Sequence, residues 1–195
     1  MAHLSAPPTT AETVGRGDLT PPASFSSRQR LPLGDLAAYL CGRWSLERDV
    51  AGPSAEAGTS FSGWAEFTPG EPGLLDYTEH GTLSLESATF EARRALAYRL
   101  LGATSAEVRF RDGELFHLLD LSTGRSRPRY ECGADRYLGL YLVNSADCFV
   151  VRWRVNGPRK SYVSTTRYSR LHDDARIASS VLAPTAEQRG PLDGV

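Results

Sequence analysis

The chain has 195 residues, of which 41% are hydrophobic, and its formal net charge is −1 at pH 7. This length and composition are typical of one soluble globular domain with its own core. Because acidic and basic residues are nearly equal in number, the chain has no strong positive electrostatic field to attract nucleic acid or an anionic membrane. Neither is therefore an expected partner. The three cysteines form no C-x-x-C pair, and the first thirty residues contain no apolar signal segment. We therefore expect a cytoplasmic protein with free thiols.

The two ends of the chain are predicted to lie outside the folded domain. Residues 1–30 contain two Pro-Pro pairs and lack hydrophobic periodicity, which is typical of a disordered leader. Residues 172–195 are polar with scattered apolar positions and are expected to form a flexible tail. Between these ends, Leu33, Leu36 and Leu40 share one side of a short predicted helix that stops at Gly42.

After this helix the sequence changes to short apolar runs separated by turn residues, a pattern typical of an antiparallel sandwich or barrel. No long amphipathic helix is available to cover a sheet face, so the apolar faces must close on each other. We therefore predict an all-β fold over residues 31–171, a barrel or a tightly rolled sandwich of about ten antiparallel strands with a short N-terminal helix. The strands are expected near 43–50, 60–68, 74–81, 83–90, 95–101, 106–112, 114–120, 127–133, 136–143, 147–155 and 160–170.

The Asp112-Gly113 pair predicts a hairpin with a two-residue turn. In such a hairpin Val108 lies opposite His117, Phe110 lies opposite Leu115, and Arg109 lies opposite Phe116. The interior side chains of this hairpin would then be Val108, Phe110, Leu115 and His117.

A second hairpin, around Asn156-Gly157, contains Lys160, the only lysine of the chain. A two-residue or four-residue loop gives the same parity and directs two sets of side chains to one face. These are the apolar Phe149, Val151, Trp153 and Val155 and the polar Lys160, Tyr162, Ser164, Thr166 and Tyr168. Each buried hydroxyl needs a partner, so this mixture predicts a cavity that holds ligand or water.

Two further strands are predicted to add polar groups to the interior. Alternation places Tyr77 and Glu79 on one face of their strand. On another strand it places Arg48 beyond Trp44 and Leu46, near the mouth of the barrel.

The short helix followed by Gly42-Arg43-Trp44 on a first strand resembles the G-x-W start of lipocalin-type barrels. In those folds a basic side chain from the last strand covers the tryptophan. The resemblance assigns this place to Arg167 or Arg170.

Residues 31–171 also resemble a bacterial and fungal family of uncharacterised lipocalin-like domains, often found near biosynthetic genes. The family would have a histidine where this chain has Tyr130. The resemblance implies a lipocalin-like barrel and supplies no reaction. It is carried by Gly42/Trp44/Leu46/Arg48, Phe61/Gly63/Ala65/Phe67, Tyr77/Glu79/Gly81, Phe116/His117/Leu119/Asp120, Cys132/Asp135/Tyr137 and Gly157/Pro158/Arg159/Lys160/Tyr162.

Two alternative roles remain open for several of these residues. Lys160 and Arg159 would clamp a carboxylate, phosphate or enolate at the barrel mouth, with Tyr162 donating a hydrogen bond, or they would be solvated turn charges. Glu79 would be a general base beside Tyr77, or it would form a salt bridge to Arg48 or Lys160.

The remaining candidates are weaker. His117 would shuttle a proton, or it would satisfy a hydrogen bond in the core. Cys132 and Asp135 with His117 make a poor set of metal ligands, so no metal site is predicted. Tyr137 would either contact a ligand or face solvent. Motifs of NTPases, dinucleotide-binding enzymes, zincins and α/β-hydrolases are absent from the sequence, and no cofactor is expected.

Three hypotheses follow for the function. The first is a barrel that binds a small apolar or aromatic molecule with an anionic or carbonyl group. The second is a cofactor-independent isomerase or cyclase, in which Glu79 or His117 moves a proton while Lys160 and Tyr162 stabilise an enolate. The third is an interaction protein with a filled barrel, and the oligomeric state is left open. Ligand contacts are predicted for Arg159, Arg48, Tyr77, Trp153, Tyr168 and Tyr137.

Overall fold

The computed structural model describes residues 30–172, which form one antiparallel sheet preceded by a short helix. The predicted leader and tail lie outside the described residues, apart from their junctions with the barrel. No helix in residues 30–172 is long and apolar enough to cross a membrane. The elements are α1 (Leu36–Leu40), β1 (Gly42–Ala51), β2 (Ser60–Pro69), β3 (Leu74–Ser84), β4 (Thr89–Leu100), β5 (Ser105–Arg109), β6 (Leu115–Asp120), β7 (Arg125–Ser126), β8 (Arg129–Cys132), β9 (Asp135–Ser145), β10 (Cys148–Asn156) and β11 (Ser161–Arg170).

The strands follow one another in the order β6-β5-β4-β3-β2-β1-β11-β10-β9-β7, and β8 pairs with β9 beside this path. Every described strand pair is antiparallel. The predicted all-β barrel of about ten strands with a short N-terminal helix is therefore confirmed.

The barrel is nearly closed, since β6 and β8 meet through side chains instead of a backbone ladder. The Phe116 ring of β6 lies 5.0 Å from the Tyr130 ring of β8, measured between centroids. Nearby, the Asp120 amide donates to the Ser126 hydroxyl over 3.3 Å. Aromatic packing thus seals the seam at one side of the interior.

Three of the predicted strands, 74–81, 83–90 and 95–101, are in fact two long strands, β3 and β4, joined by a turn at 85–88. The sequence interpretation ended a strand at Gly81, but β3 continues through it. Gly81 lies opposite Gly63 of β2, and a Cβ atom on either would overlap a neighbouring backbone carbonyl. These glycines therefore allow a close backbone approach within continuous strands.

The hairpin at Asp112-Gly113 contains a β-bulge that the prediction lacked. Val108 lies opposite His117 as predicted, but Arg109 lies opposite Leu115, and Phe116 is the extra residue. Both Phe116 and His117 are consequently buried, whereas the Leu115 side chain, predicted to face inward, is exposed. The two-residue turn was wrong because Phe110 donates its amide to the Glu114 carbonyl and so encloses three residues.

One end of the barrel is closed by α1 and by the Trp44 indole, which is fully buried. The indole Nε1–H donates to the Leu40 carbonyl over 2.8 Å. The Arg170 guanidinium lies 4.1 Å from the Trp44 ring centroid and donates to the carbonyls of Tyr39 and Cys41. Arg170 is therefore the basic residue that covers the tryptophan, while Arg167 contacts the Cys148 sulfur instead.

Replacing Arg170 by Met should lower the free energy of unfolding by about 2–3 kcal/mol, because a cation–π contact and two charge-assisted hydrogen bonds are lost. Urea unfolding monitored by tryptophan fluorescence measures this change. Arg111→Met is the matched control, since Arg111 lies exposed in a turn. Equal losses in the two variants would show that Arg170 does not hold this end together.

Candidate functional site

The interior of the barrel contains a cavity of about 390 Å³. Its volume lies in the range of small-molecule sites, about 300–1,000 Å³. The lining residues nearest the Trp44 end are buried, whereas Val50, Leu83 and Tyr162 are half-buried and mark the opposite end as the opening. The wall is mainly apolar and aromatic and includes Phe61, Leu96, Tyr98, Phe116, Tyr141, Val151, Trp153 and Val155.

Most of the predicted site residues line this cavity. The β10–β11 register agrees with the predicted parity, because Trp153 lies opposite Ser164 and Val155 lies opposite Tyr162. The side chain of Tyr137, whose orientation the sequence left open, also reaches the cavity. The predicted residues that the structure brings together here are Arg48, Tyr77, Glu79, Tyr137, Trp153, Tyr162 and Tyr168.

Lys160 does not face the interior, so its predicted inward orientation is wrong. Strand β11 begins one residue later, at Ser161, and Lys160 belongs to the turn, where its carbonyl accepts from the Gly157 amide. The ammonium group lies at the rim, 2.6 Å from the Asp135 carboxylate and 3.3 Å from the Tyr137 hydroxyl. Its hydrogen bond to Asp135 raises the pKa of Lys160.

Arg159 is exposed in the same turn and does not line the cavity. The clamp predicted for Arg159 and Lys160 at the barrel mouth stays a prediction, with Lys160 at the rim bound to Asp135 and Arg159 outside the cavity lining. Alternation failed as a guide for Lys160 because it applies only within a strand, and Lys160 precedes β11.

Glu79 is held by Arg48, one of the two salt-bridge partners predicted for it. The guanidinium donates to both carboxylate oxygens, over 3.0 and 2.9 Å, and its Nε donates to the Thr166 hydroxyl. The Tyr77 hydroxyl donates to Glu79 over 2.5 Å and lies 3.0 Å from the Tyr168 hydroxyl. Although burial alone would raise the pKa of Glu79, the bonds from Arg48 outweigh it and lower the pKa. Glu79 is thus an ionised carboxylate at neutral pH, committed to Arg48 and Tyr77.

His117 lies behind the cavity wall and satisfies hydrogen bonds in the core. Its Nδ1 is 3.1 Å from the Leu118 carbonyl, and its Nε2 is 3.1 Å from the Tyr141 hydroxyl. A carbonyl can only accept, so Nδ1 carries the proton and Nε2 accepts from Tyr141. Burial lowers the pKa of His117 to about 4, which leaves the imidazole neutral at pH 7.

Arg94 is a site residue that sequence reasoning missed. It lies opposite Glu79 in the β3–β4 ladder, on the same face of β4 as the cavity-lining Leu96 and Tyr98. The prediction placed a break between strands at 91–94, so no face was assigned to it. A charged residue in phase with Leu96 and Tyr98 was the available signal.

The Arg94 guanidinium lies over an aromatic ring and makes no hydrogen bond or ion pair to another described residue. Its Cζ lies 5.4 Å from the centroid of the Phe116 ring. Within residues 30–172, no hydrogen bond or ion pair involves its nitrogens. Arg94 is therefore a half-buried cation on the cavity wall without a counterion in the described part of the chain.

Residues 40–170 match the model of a protein family described as a family of unknown function, DUF6314. The chain belongs to this family. The predicted membership of an uncharacterised family is thereby confirmed at that level. Among curated proteins, a search found no significant match to this DUF6314 chain.

The solved structures that this DUF6314 chain resembles have low sequence identity to it. An S-type phycobiliprotein lyase, CPES, from Guillardia theta has a TM-score of 0.53 at 8% identity, over 70% of this chain and 91% of the lyase. A DUF3598 protein of unknown function from Nostoc punctiforme has a TM-score of 0.48 at 14% identity, over 73% of this chain and 51% of its own. A redesigned β-barrel, mFAP1, bound to DFHBI has a TM-score of 0.40 at 16% identity, over 69% of this chain and 97% of the redesigned barrel. At such identities the likeness to the lyase shows the barrel fold alone.

Removing the cation of the buried pair should be costly. Arg48→Met leaves Glu79 buried without its partner and should lower the free energy of unfolding by about 3–5 kcal/mol. The double variant Arg48→Met/Glu79→Leu should lose less than the sum of the two single changes, since neither charge is then stranded. Urea unfolding of the three variants at pH 7 measures the coupling. Strictly additive losses would contradict the pair as described.

His117 should make folding stability depend on pH. The ordinary pKa of histidine is 6.5, whereas His117 in the folded chain has a pKa of about 4. Between these values the unfolded chain binds a proton that the folded chain does not. The contribution of the neutral His117 to the free energy of unfolding is therefore fully present above pH 6.5 and is lost as the pH falls. Between pH 7 and pH 5 this residue should account for a loss of about 2 kcal/mol.

His117→Gln is the matched variant, because glutamine can accept from Tyr141 without titrating. Urea unfolding at both pH values should show a smaller loss in this variant than in the wild type. Identical pH profiles would mean that His117 is not buried in its neutral form.

Proposed function

We propose that this protein binds a small molecule with an aromatic or apolar body and an anionic or carbonyl group inside the barrel. The observation that carries the proposal is the cavity of about 390 Å³, whose apolar and aromatic wall is interrupted by a few polar groups. Such a combination supplies apolar area for affinity and fixed polar groups for orientation.

Several polar groups on the cavity wall remain available to a ligand, among them Tyr162 and Arg94. Tyr162 is half-buried, and its hydroxyl makes no hydrogen bond to another residue of the described range. Burial raises the pKa of Tyr162, so it stays a neutral donor at physiological pH. Together with the Arg94 guanidinium, it offers N–H and O–H donors to a carbonyl or anionic oxygen.

The isomerase or cyclase hypothesis requires a proton acceptor that faces the cavity with free lone pairs. Glu79 faces the cavity, but its oxygens already accept from Arg48 and Tyr77. His117 is not part of the lining, and its two nitrogens are both engaged. The filled-barrel hypothesis requires an interior without a cavity. These contacts favour binding over either alternative.

The neutral aromatic dye N-phenyl-1-naphthylamine should bind the full chain with a rise in fluorescence as it enters an apolar site. Ala92 shares the cavity face of β4 with Arg94, whereas Ala95 lies on the opposite face. Ala92→Trp should therefore weaken dye binding by at least about tenfold, the equivalent of 1.4 kcal/mol, because the indole fills the cavity. Fluorescence titration measures both affinities.

Ala95→Trp is the matched control and should leave the dye affinity unchanged, since the same side chain then points away from the cavity. Failure of the wild type to bind the dye would argue against an accessible interior site. Equal effects of the two substitutions would place the dye outside the barrel.

A further inference from the structure

Arg94 is the cation whose side chain faces the cavity without an ion-pair partner among the described residues. Arg93 is also part of the lining, but alternation places its side chain on the outer face, beside His80. Arg48 and Glu79 neutralise each other through two hydrogen bonds. At the rim, Lys160 and Asp135 form a second neutral pair. The Arg94 guanidinium, by contrast, has no ion-pair partner within residues 30–172.

The position of Arg94 is set by the sheet and not by a flexible loop. It lies within β4, with β3 hydrogen-bonded on one side, directly opposite the buried Glu79. The guanidinium carbon lies 5.4 Å from the centroid of the Phe116 ring, a cation–π contact that uses none of the N–H donors. A half-buried cation held in this way loses hydration and gains no partner in return, a loss that a bound anion would offset.

The unpaired positive charge that faces the cavity limits the negative charge of an anion that would bind there. One guanidinium matches one negative charge, and the nearby Glu79 carboxylate, although paired, disfavours a doubly charged group such as a phosphate monoester. The planar fork of arginine fits a planar carboxylate through two parallel hydrogen bonds.

The walls next to Arg94 are flat and aromatic. The rings of Phe116 and Trp153 stack on each other with centroids 5.1 Å apart, and both line the cavity. Tyr98 and Tyr141 add two further rings to the lining. Such surfaces favour a planar aromatic ligand body through offset stacking and edge contacts.

We infer that the ligand is an aromatic monocarboxylate whose carboxylate group pairs with Arg94. This inference rests on the proposed function, because it requires that the cavity admit a small molecule. It names the class of ligand and adds Arg94 as the residue that selects it.

Displacement of bound N-phenyl-1-naphthylamine by two matched ligands tests the inference. The ligands are 2-naphthoate and its neutral analogue 2-naphthamide. On the wild type, 2-naphthoate should bind about 10–100-fold more tightly than 2-naphthamide, the range expected for a charge-assisted bidentate pair. Arg94→Met should abolish this preference and leave the affinity for 2-naphthamide unchanged.

Two further variants sharpen the result. Arg94→Lys should keep part of the preference, since lysine retains the charge but not the planar fork. Arg111→Met removes the same charge from an exposed turn and should behave as the wild type. Loss of the preference in Arg111→Met as well would assign it to net charge and overturn the role of Arg94.

The outcomes separate this inference from the proposal beneath it. If the wild type binds neither dye nor ligand, the proposed function fails and the inference falls with it. If the dye binds but 2-naphthoate and 2-naphthamide bind equally, binding stands and the carboxylate assignment is overturned. Should Arg94→Met not fold, the ligand comparison on the wild type and Arg94→Lys still decides between these results.

Discussion

The ion pair between Arg48 and Glu79 is the constraint on which the chemistry of the interior depends. Arg48 of β1 reaches Glu79 of β3 across the intervening strand β2. A buried carboxylate without a cation would either be protonated or destabilise the fold. The pair, completed by the Tyr77 hydroxyl, balances the charge of Glu79, the one acidic side chain in the cavity lining of the described chain. What remains available to a ligand is therefore set by the other side chains.

The pair also determines what the site can do. A carboxylate with two donors in place is stabilised as the anion, which opposes the raised pKa that a general base of this kind needs. Both Glu79 oxygens accept from Arg48, and Arg94, which lies opposite Glu79 in the adjacent strand, makes no ion pair with it. One ion pair thus makes the interior a poor acid–base site and gives it a cation suited to recognition.

Much of the fold could be predicted from the sequence, because strand alternation and turn residues are local signals. The parity of β10 with β11 was predicted from the Asn156-Gly157 turn, and the inward direction of Tyr162 followed from that parity. The covering of Trp44 by a basic residue of the last strand was expected from a resemblance, and the structure identifies the residue as Arg170. These features depend on residues close in sequence or on a repeated architecture.

The features that could not be predicted depend on where regular pairing stops. Lys160 was given an inward face by alternation, but it lies one residue before β11 begins, where alternation no longer holds. The bulge at Phe116 reversed the face of Leu115 and brought an extra ring to the seam. Arg94 was missed because residues 91–94 were assigned to a break between strands, after Gly81 had been taken as a strand end. Gly81 lies instead within β3, where it allows a close approach to Gly63 that only the paired sheet reveals. Each case needed the partner strand, which the sequence of one strand does not contain.

We propose that the barrel interior is a site for a small aromatic anion. Native mass spectrometry of the full chain incubated with 2-naphthoate is a direct test, because it counts bound molecules without a reporter dye. We expect a saturable complex of one ligand per chain, which is lost when the chain is denatured. Detection of the unbound mass alone at saturating ligand would contradict it.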